Sequence, residues 1–239
     1  MRITINIILI LIFINSLFSQ VNVEALRSDD KIPGIKHNLV LDFSYISSDV
    51  KIIQIATSYG MDYRLKSGLY GFILGEYERA FEENQEDFSN RGFIHCRIAK
   101  PLIRNTDIES FAQKERNHFI DLNNRELIGA GLRINQFNNL YWGVGIMHEL
   151  EEYSNNHHKL IKSTNYINHK LKLLEIMELS NVIYYQFQLD SPKNNRALWD
   201  GSIIIHTEKG VSFNISAHYR YDNQQESYFV ISNGIGINF

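Results

Sequence analysis

A two-residue period runs through almost the whole chain after its first twenty residues, and it constrains the fold more than any other feature. In residues 53–65, Ile53, Ile55, Thr57, Tyr59, Met61, Tyr63 and Leu65 alternate with Gln54, Ala56, Ser58, Gly60, Asp62 and Arg64. Successive side chains on a strand point to opposite sides, so this stretch has one apolar face and one polar or small face. It is long for a strand of a soluble protein, where about 5–6 residues is usual. The same alternation recurs at 39–45, 94–99, 128–135, 140–149, 167–173, 183–189 and 211–221. Stretches 69–80, 108–117 and 197–206 also read as strands, but their patterns do not assign the faces.

Twelve strands follow, over 37–47, 51–65, 68–81, 91–101, 106–118, 125–136, 139–152, 164–174, 177–190, 195–206, 210–222 and 226–239. An even number suits a single-chain bacterial outer-membrane barrel with up-and-down topology. Long or polar connections are expected at 82–90, 119–124, 153–163, 191–194 and 223–225, with tight turns at the other end. That asymmetry separates extracellular loops from periplasmic turns. Pro33, Pro101 and Pro192 are expected outside strand interiors, where a missing N–H would interrupt the ladder.

A soluble sandwich or a lipocalin-like barrel would point the apolar faces inward. Two features oppose that. The small and polar face carries Gly60, Gly129, Gly131, Gly143, Gly145, Gly234 and Gly236, as a crowded lumen would require. Aromatic residues gather at strand ends on the apolar face: Tyr45, Phe187, Tyr219, Tyr221 and Phe229 at one rim, Tyr63, Trp142 and Phe239 at the other. Paired aromatic girdles around an apolar band are what a bilayer selects. The fold class is therefore all-β, an antiparallel transmembrane β-barrel.

The N-terminus supplies the address. Arg2, an apolar run from Ile3 to Phe18, and Ser19 before the mature start match a secretory signal. The run is shorter than the ~20 residues that span a bilayer, and Asn6 and Asn15 interrupt it. The domain reading is a signal peptide at 1–19, a polar periplasmic segment at 20–36, and the barrel at 37–239. The expected location is the outer membrane of a diderm bacterium, with its lipid and lipopolysaccharide as surroundings. A net charge of −3 gives no reason to expect nucleic acid. One cysteine, Cys96, can build neither an intrachain disulfide nor a Cys-rich zinc site.

The final residues, Tyr228 to Phe239, end on an aromatic after alternating apolar positions. They resemble the terminal strand that outer-membrane barrels present to their assembly machinery, with Phe239 as its signal. More narrowly, the chain resembles the YdiY-like family of bacterial outer-membrane proteins, domain of unknown function 481. The resemblance rests on Asn22–Arg27, Phe111–Asn117, Arg125–Arg133, Tyr219–Asp222 and the Asn233-Gly234 ending. It implies a fold and a location, and no activity or catalytic residues.

Candidate chemistry is sparse. A wall-mounted hydrolase needs a base within reach of a serine and a third group to orient that base. No His-x-Ser occurs; the reversed order, Ser216-x-His218, falls on the polar face. His157 and His158 with Glu151 and Glu152 lack the converging ligands of a specific metal site, and read as a solvated loop. The acidic run at 82–87 reads the same way. The chain is thus expected to be a non-enzyme with no cofactor and no metal.

The polar face is more informative. Asp42, Asp62, Arg64, His95, Arg97, Arg133, Glu149, Lys170, Lys172, His218 and Arg220 are its lumen-facing candidates. Charges lining a pore set ion selectivity. The same charges can pair across the lumen and close it. Eight strands are filled by side chains and sixteen leave a channel, so twelve is intermediate. A narrow porin-like channel for small solutes and a non-conducting structural barrel therefore both stand, with an outer-membrane lipid hydrolase behind them.

Overall fold

The computed structural model describes residues 23–24, 27, 32–47, 51–82, 87–118, 121–137, 139–154, 156–207, 211–223 and 227–238. The signal at 1–19, the acidic residues at 83–86 and the terminal Phe239 lie outside them. Among the described residues the chain forms β1 (Gly34–Ser47), β2 (Lys51–Arg64), β3 (Tyr70–Glu82), β4 (Asp87–Ile103), β5 (Thr106–Asn117) and β6 (Leu122–Phe137). It continues as β7 (Leu140–Tyr153), β8 (His157–Leu174), β9 (Met177–Gln188), β10 (Asn195–His206), β11 (Val211–Asp222) and β12 (Tyr228–Asn238). Each strand pairs with its sequence neighbour, and β1 pairs antiparallel with β12 to close the barrel.

The partition of side chains is inverted relative to a soluble protein. Ile128 is 64% exposed and Ile215 56% exposed on the outer wall, while Arg125, Glu149 and Arg220 are each 1% exposed inside. So much contiguous apolar surface is untenable in water and is matched by lipid. Tyr63, Trp142, Tyr219, Tyr221 and Phe229 are exposed on the outer wall. Trp199, Tyr219 and Phe229 share one register row across β10, β11 and β12.

Hairpin geometry distinguishes the two ends. Two residues join β4 to β5, β6 to β7 and β8 to β9. Asn105 and Asn139 take positive φ there, at 64° and 61°, as two-residue hairpins require. This is the turn end; β1 starts there and β12 finishes there.

Several boundaries differ from the sequence reading. Residues 87–90 and 157–163, expected as loop, are paired strand at the starts of β4 and β8. His157 and His158 stand opposite Glu152 and Glu151 on adjacent strands instead of in a loop. Pro101 lies within β4, at an irregularity in its pairing with β5, where a strand tolerates the missing N–H. The segment before β1, expected as a periplasmic lead, places Val23, Glu24 and Arg27 inside the barrel, each buried.

Candidate functional site in the lumen

At the turn end, Glu24 is fully buried among wall residues of β4, β6 and β8. Arg97 pairs with its Oε1 and Arg133 with its Oε2, the latter at 2.5 Å. Asn168 donates to Oε2 at 3.3 Å and to the Glu24 backbone carbonyl at 3.2 Å. Arg27 lies 3.4 Å from Oε1 and also pairs with Glu109. Lys170 donates to the Arg27 carbonyl at 2.6 Å, so the segment is held by its backbone as well as its side chains. Glu109 accepts from Arg97 at 3.1 Å and from the Tyr166 hydroxyl at 3.2 Å. Val23 packs into an apolar pocket with Tyr70, Phe72, Leu74, Phe93 and Ala99.

Glu24 belongs to the segment before β1 and not to a strand. Burial alone would push its carboxyl up. Arg133, Arg97 and Arg27 outweigh that and hold it well below the usual carboxylate range.

Aromatic rings orient the guanidinium groups. Arg133 lies 3.9 Å from the Tyr141 ring centre, and Arg97 lies 5.3 Å from Phe111 and 5.7 Å from Phe72. Room for this crowd comes from glycine. A Cβ on Gly143 would meet the Tyr166 ring at 1.9 Å, and one on Gly131 would meet the Val144 carbonyl at 2.6 Å. The ring of Tyr166 therefore sits directly against the backbone of β7 at Gly143.

At the other end of the lumen the charges are arranged with opposite sign. Arg125 donates to Glu151 at 2.7 Å and lies 3.3 Å from Glu115 and 3.2 Å from Glu149. Lys162 reaches Glu149 at 2.5 Å. Asp222 accepts from Arg196 at 2.7 Å and from Arg220 at 3.0 Å. A cavity of about 40 Å³ adjoins the Glu24 cluster, lined by Arg97, Glu109 and Tyr166 of that cluster and by His95, Gln113 and Gln186 beyond them. That is room for only a few waters. Among the described residues, charged and aromatic side chains fill the lumen.

The lumen-facing candidates have different fates. Arg97, Arg133 and Lys170 join the Glu24 cluster. Asp62 accepts from the Tyr70 hydroxyl, and Arg64 lies 4.5 Å over the same ring. His95 sits between Phe72 and Phe111, with Nδ1 3.1 Å from Gln113. His218 meets Asp200, while Ser216 is buried opposite Ser202 and Ser232. Lys172 is exposed near the end of β8, in register with Glu178. Asp42 shares the inward register positions of β1, opposite Ala56, but its side chain lies outside the description.

Sequence reasoning missed Glu24, Arg27, Glu109, Glu115, Arg125, Tyr166, Arg196 and Asp222 as lumen residues, and it placed Asn168 on the inward face without a role. A usable signal existed on β5, where Glu109, Phe111, Gln113 and Glu115 share one face. Among the described residues there is no group of three or more His, Cys, Asp and Glu placed to hold a metal ion.

The chain is similar to the translocator domain of autotransporter NalP from Neisseria meningitidis, at 11% identity and a TM-score of 0.56, over 86% of this chain and 87% of that one. The NanC porin aligns at 10% identity and a TM-score of 0.49, over 86% and 98%. The KdgM porin, solved in complex with disordered oligogalacturonate, aligns at 13% identity and 0.48, over 86% and 99%. These likenesses are of fold. No family model and no curated protein matches the chain, so the YdiY-like resemblance rests on its short motifs.

Proposed function

We propose that this β-barrel is an outer-membrane channel for small solutes, narrow and closed at rest by the segment that precedes β1. The observation that carries this reading is the origin of the seal. Val23, Glu24 and Arg27 fill the turn-end lumen, yet none belongs to the wall. A seal lent by a segment outside the wall can be withdrawn while the strand ladder stays intact.

The location is supported by the apolar outer wall, by the apolar run at 3–18 and by the fold itself. In that setting the outer wall meets membrane lipid and lipopolysaccharide, and β12 with Phe239 is the segment offered to the assembly machinery. Membership of the YdiY-like family belongs to the same proposal.

Planar-bilayer recording of refolded protein tests it. The native chain is expected to stay mostly closed with brief openings, and Glu24→Ala to stay open longer. Silence from both, in protein that still migrates as a folded barrel without heating, favours the structural reading. One observation supports that alternative: the Arg125 cluster, built from wall residues alone, narrows the other end. Fatty-acid release from phospholipid would instead revive the hydrolase.

A further inference from the structure

Glu24 is, in chemical terms, a ligand. Its carboxylate is carried by a segment outside the wall, and both of its oxygens are taken by groups fixed on three separate strands. Arg97 of β4 holds Oε1, while Arg133 of β6 and Asn168 of β8 hold Oε2. All three wall groups are more than nine-tenths buried, as is Lys170 beside them. The rings of Tyr141, Phe72 and Phe111 orient the two guanidinium groups from the side. Guanidinium groups so fixed meet a carboxylate without first losing side-chain freedom.

The charge balance points the same way. Without Glu24 and Arg27, the described wall residues around the site include Arg97, Arg133 and Lys170 with the carboxylate of Glu109. Water that enters when the segment leaves hydrates these cations, and their concentrated positive field still favours an anion in place of the one that left.

We propose that Arg97, Arg133, Asn168 and Lys170 form a receptor for the carboxylate of a small organic acid, and that Glu24 occupies it as a built-in competitor. This rests on the channel reading for its biological meaning, because the ligand would be a passing or gating solute. The receptor itself does not require conduction, so the two can fail separately.

The test excises the competitor and returns it in pieces. Glu24→Ala removes a fragment equivalent to acetate. In refolded full-chain protein at neutral pH, acetate should raise the unfolding temperature of Glu24→Ala by roughly 3 °C once well above its dissociation constant. The native chain should not respond, and Glu24→Ala/Arg133→Gln should lose the response. Acetamide has the shape without the charge and should do nothing. An equal rise with chloride at matched ionic strength would mean general screening of arginines and would overturn the receptor. So would no rise at all. If Glu24→Ala gives no folded band in chloride, refolding yield becomes the readout. Acetate should then restore the band, and equal failure in both salts overturns the proposal. Channel openings in bilayers without any acetate effect would leave the channel standing and remove the receptor; acetate rescue without openings would do the reverse.

Discussion

At the turn end of the lumen a carboxylate sits among three arginines; toward the other end an arginine sits among three carboxylates. The geometries are near mirror images in charge, but their centres belong to different parts of the chain. Arg125 is a wall residue of β6, locked in place by the ladders to β5 and β7. Glu24 lies on no strand, and among the described residues the wall groups Arg97, Arg133 and Asn168 hold it. Breaking the first leaves buried charge with nowhere to go. Breaking the second lets the segment withdraw and water reach the arginines.

The largest effect is expected from Arg125→Leu. Removing one partner of a buried ionic cluster costs about 3–5 kcal/mol, because the others stay buried and uncompensated. Urea unfolding of the refolded barrel measures it, and a loss below about 1 kcal/mol would mean that water already reaches Glu115 and Glu149.

Gly143→Ala comes next, at about 2 kcal/mol, through overpacking against the Tyr166 ring. It also draws the Tyr166 hydroxyl away from Glu109, so it loosens the turn-end cluster without changing a charge. Combined with Glu24→Ala it should be less than additive in the same unfolding assay, whereas combined with Arg125→Leu it should add.

Glu24→Ala alone is expected to cost only about 1 kcal/mol, because the segment can leave and the exposed cations hydrate. If it matches Arg125→Leu, the distinction between wall and segment fails.

Acid sharpens the same distinction. The folded-state carboxyl of Glu24 is depressed, so its stabilisation is complete above the ordinary value of 4.5 and fades only as the pH falls below it. Bilayer recordings at pH ~7 and ~5 should show the same closed fraction. Opening between those values would overturn the arginine cage as the seal.

The smallest effect should come from Lys114→Ala. Lys114 meets Glu126 at 2.9 Å on the exposed outer side, where solvent screens the pair, so the same urea unfolding should show no resolvable change.

The sequence was legible where one face of a strand meets lipid. There the outer residue must be apolar and the inner one need not be, so the period survives in β2, β6, β7 and β11. The starts of β4 and β8 escaped because Asp87–Asn90 carries a single apolar residue, Phe88, and His157–Lys159 carries none, so no alternation marks them. On β5, Ser110 and Lys114 weaken the outer pattern and hid the inward row of Glu109, Gln113 and Glu115. Glu24 was illegible for another reason. Its partners Arg97, Arg133 and Asn168 lie 73, 109 and 144 residues away, and only closure of the barrel gathers them.

Glu24 precedes Gly34, the first residue of β1, by ten positions. A ligand tied to its receptor by so short a chain is present at an effective concentration on the order of millimolar, whatever the medium contains. A free acid competes against that standing local concentration. Traces of a single carboxylate lose the contest. An abundant acid can win it, and so can a solute bearing several carboxylates, which reloads the cage faster than the tether returns. The length of ten residues thus sets a threshold, below which this barrel is deaf to its surroundings.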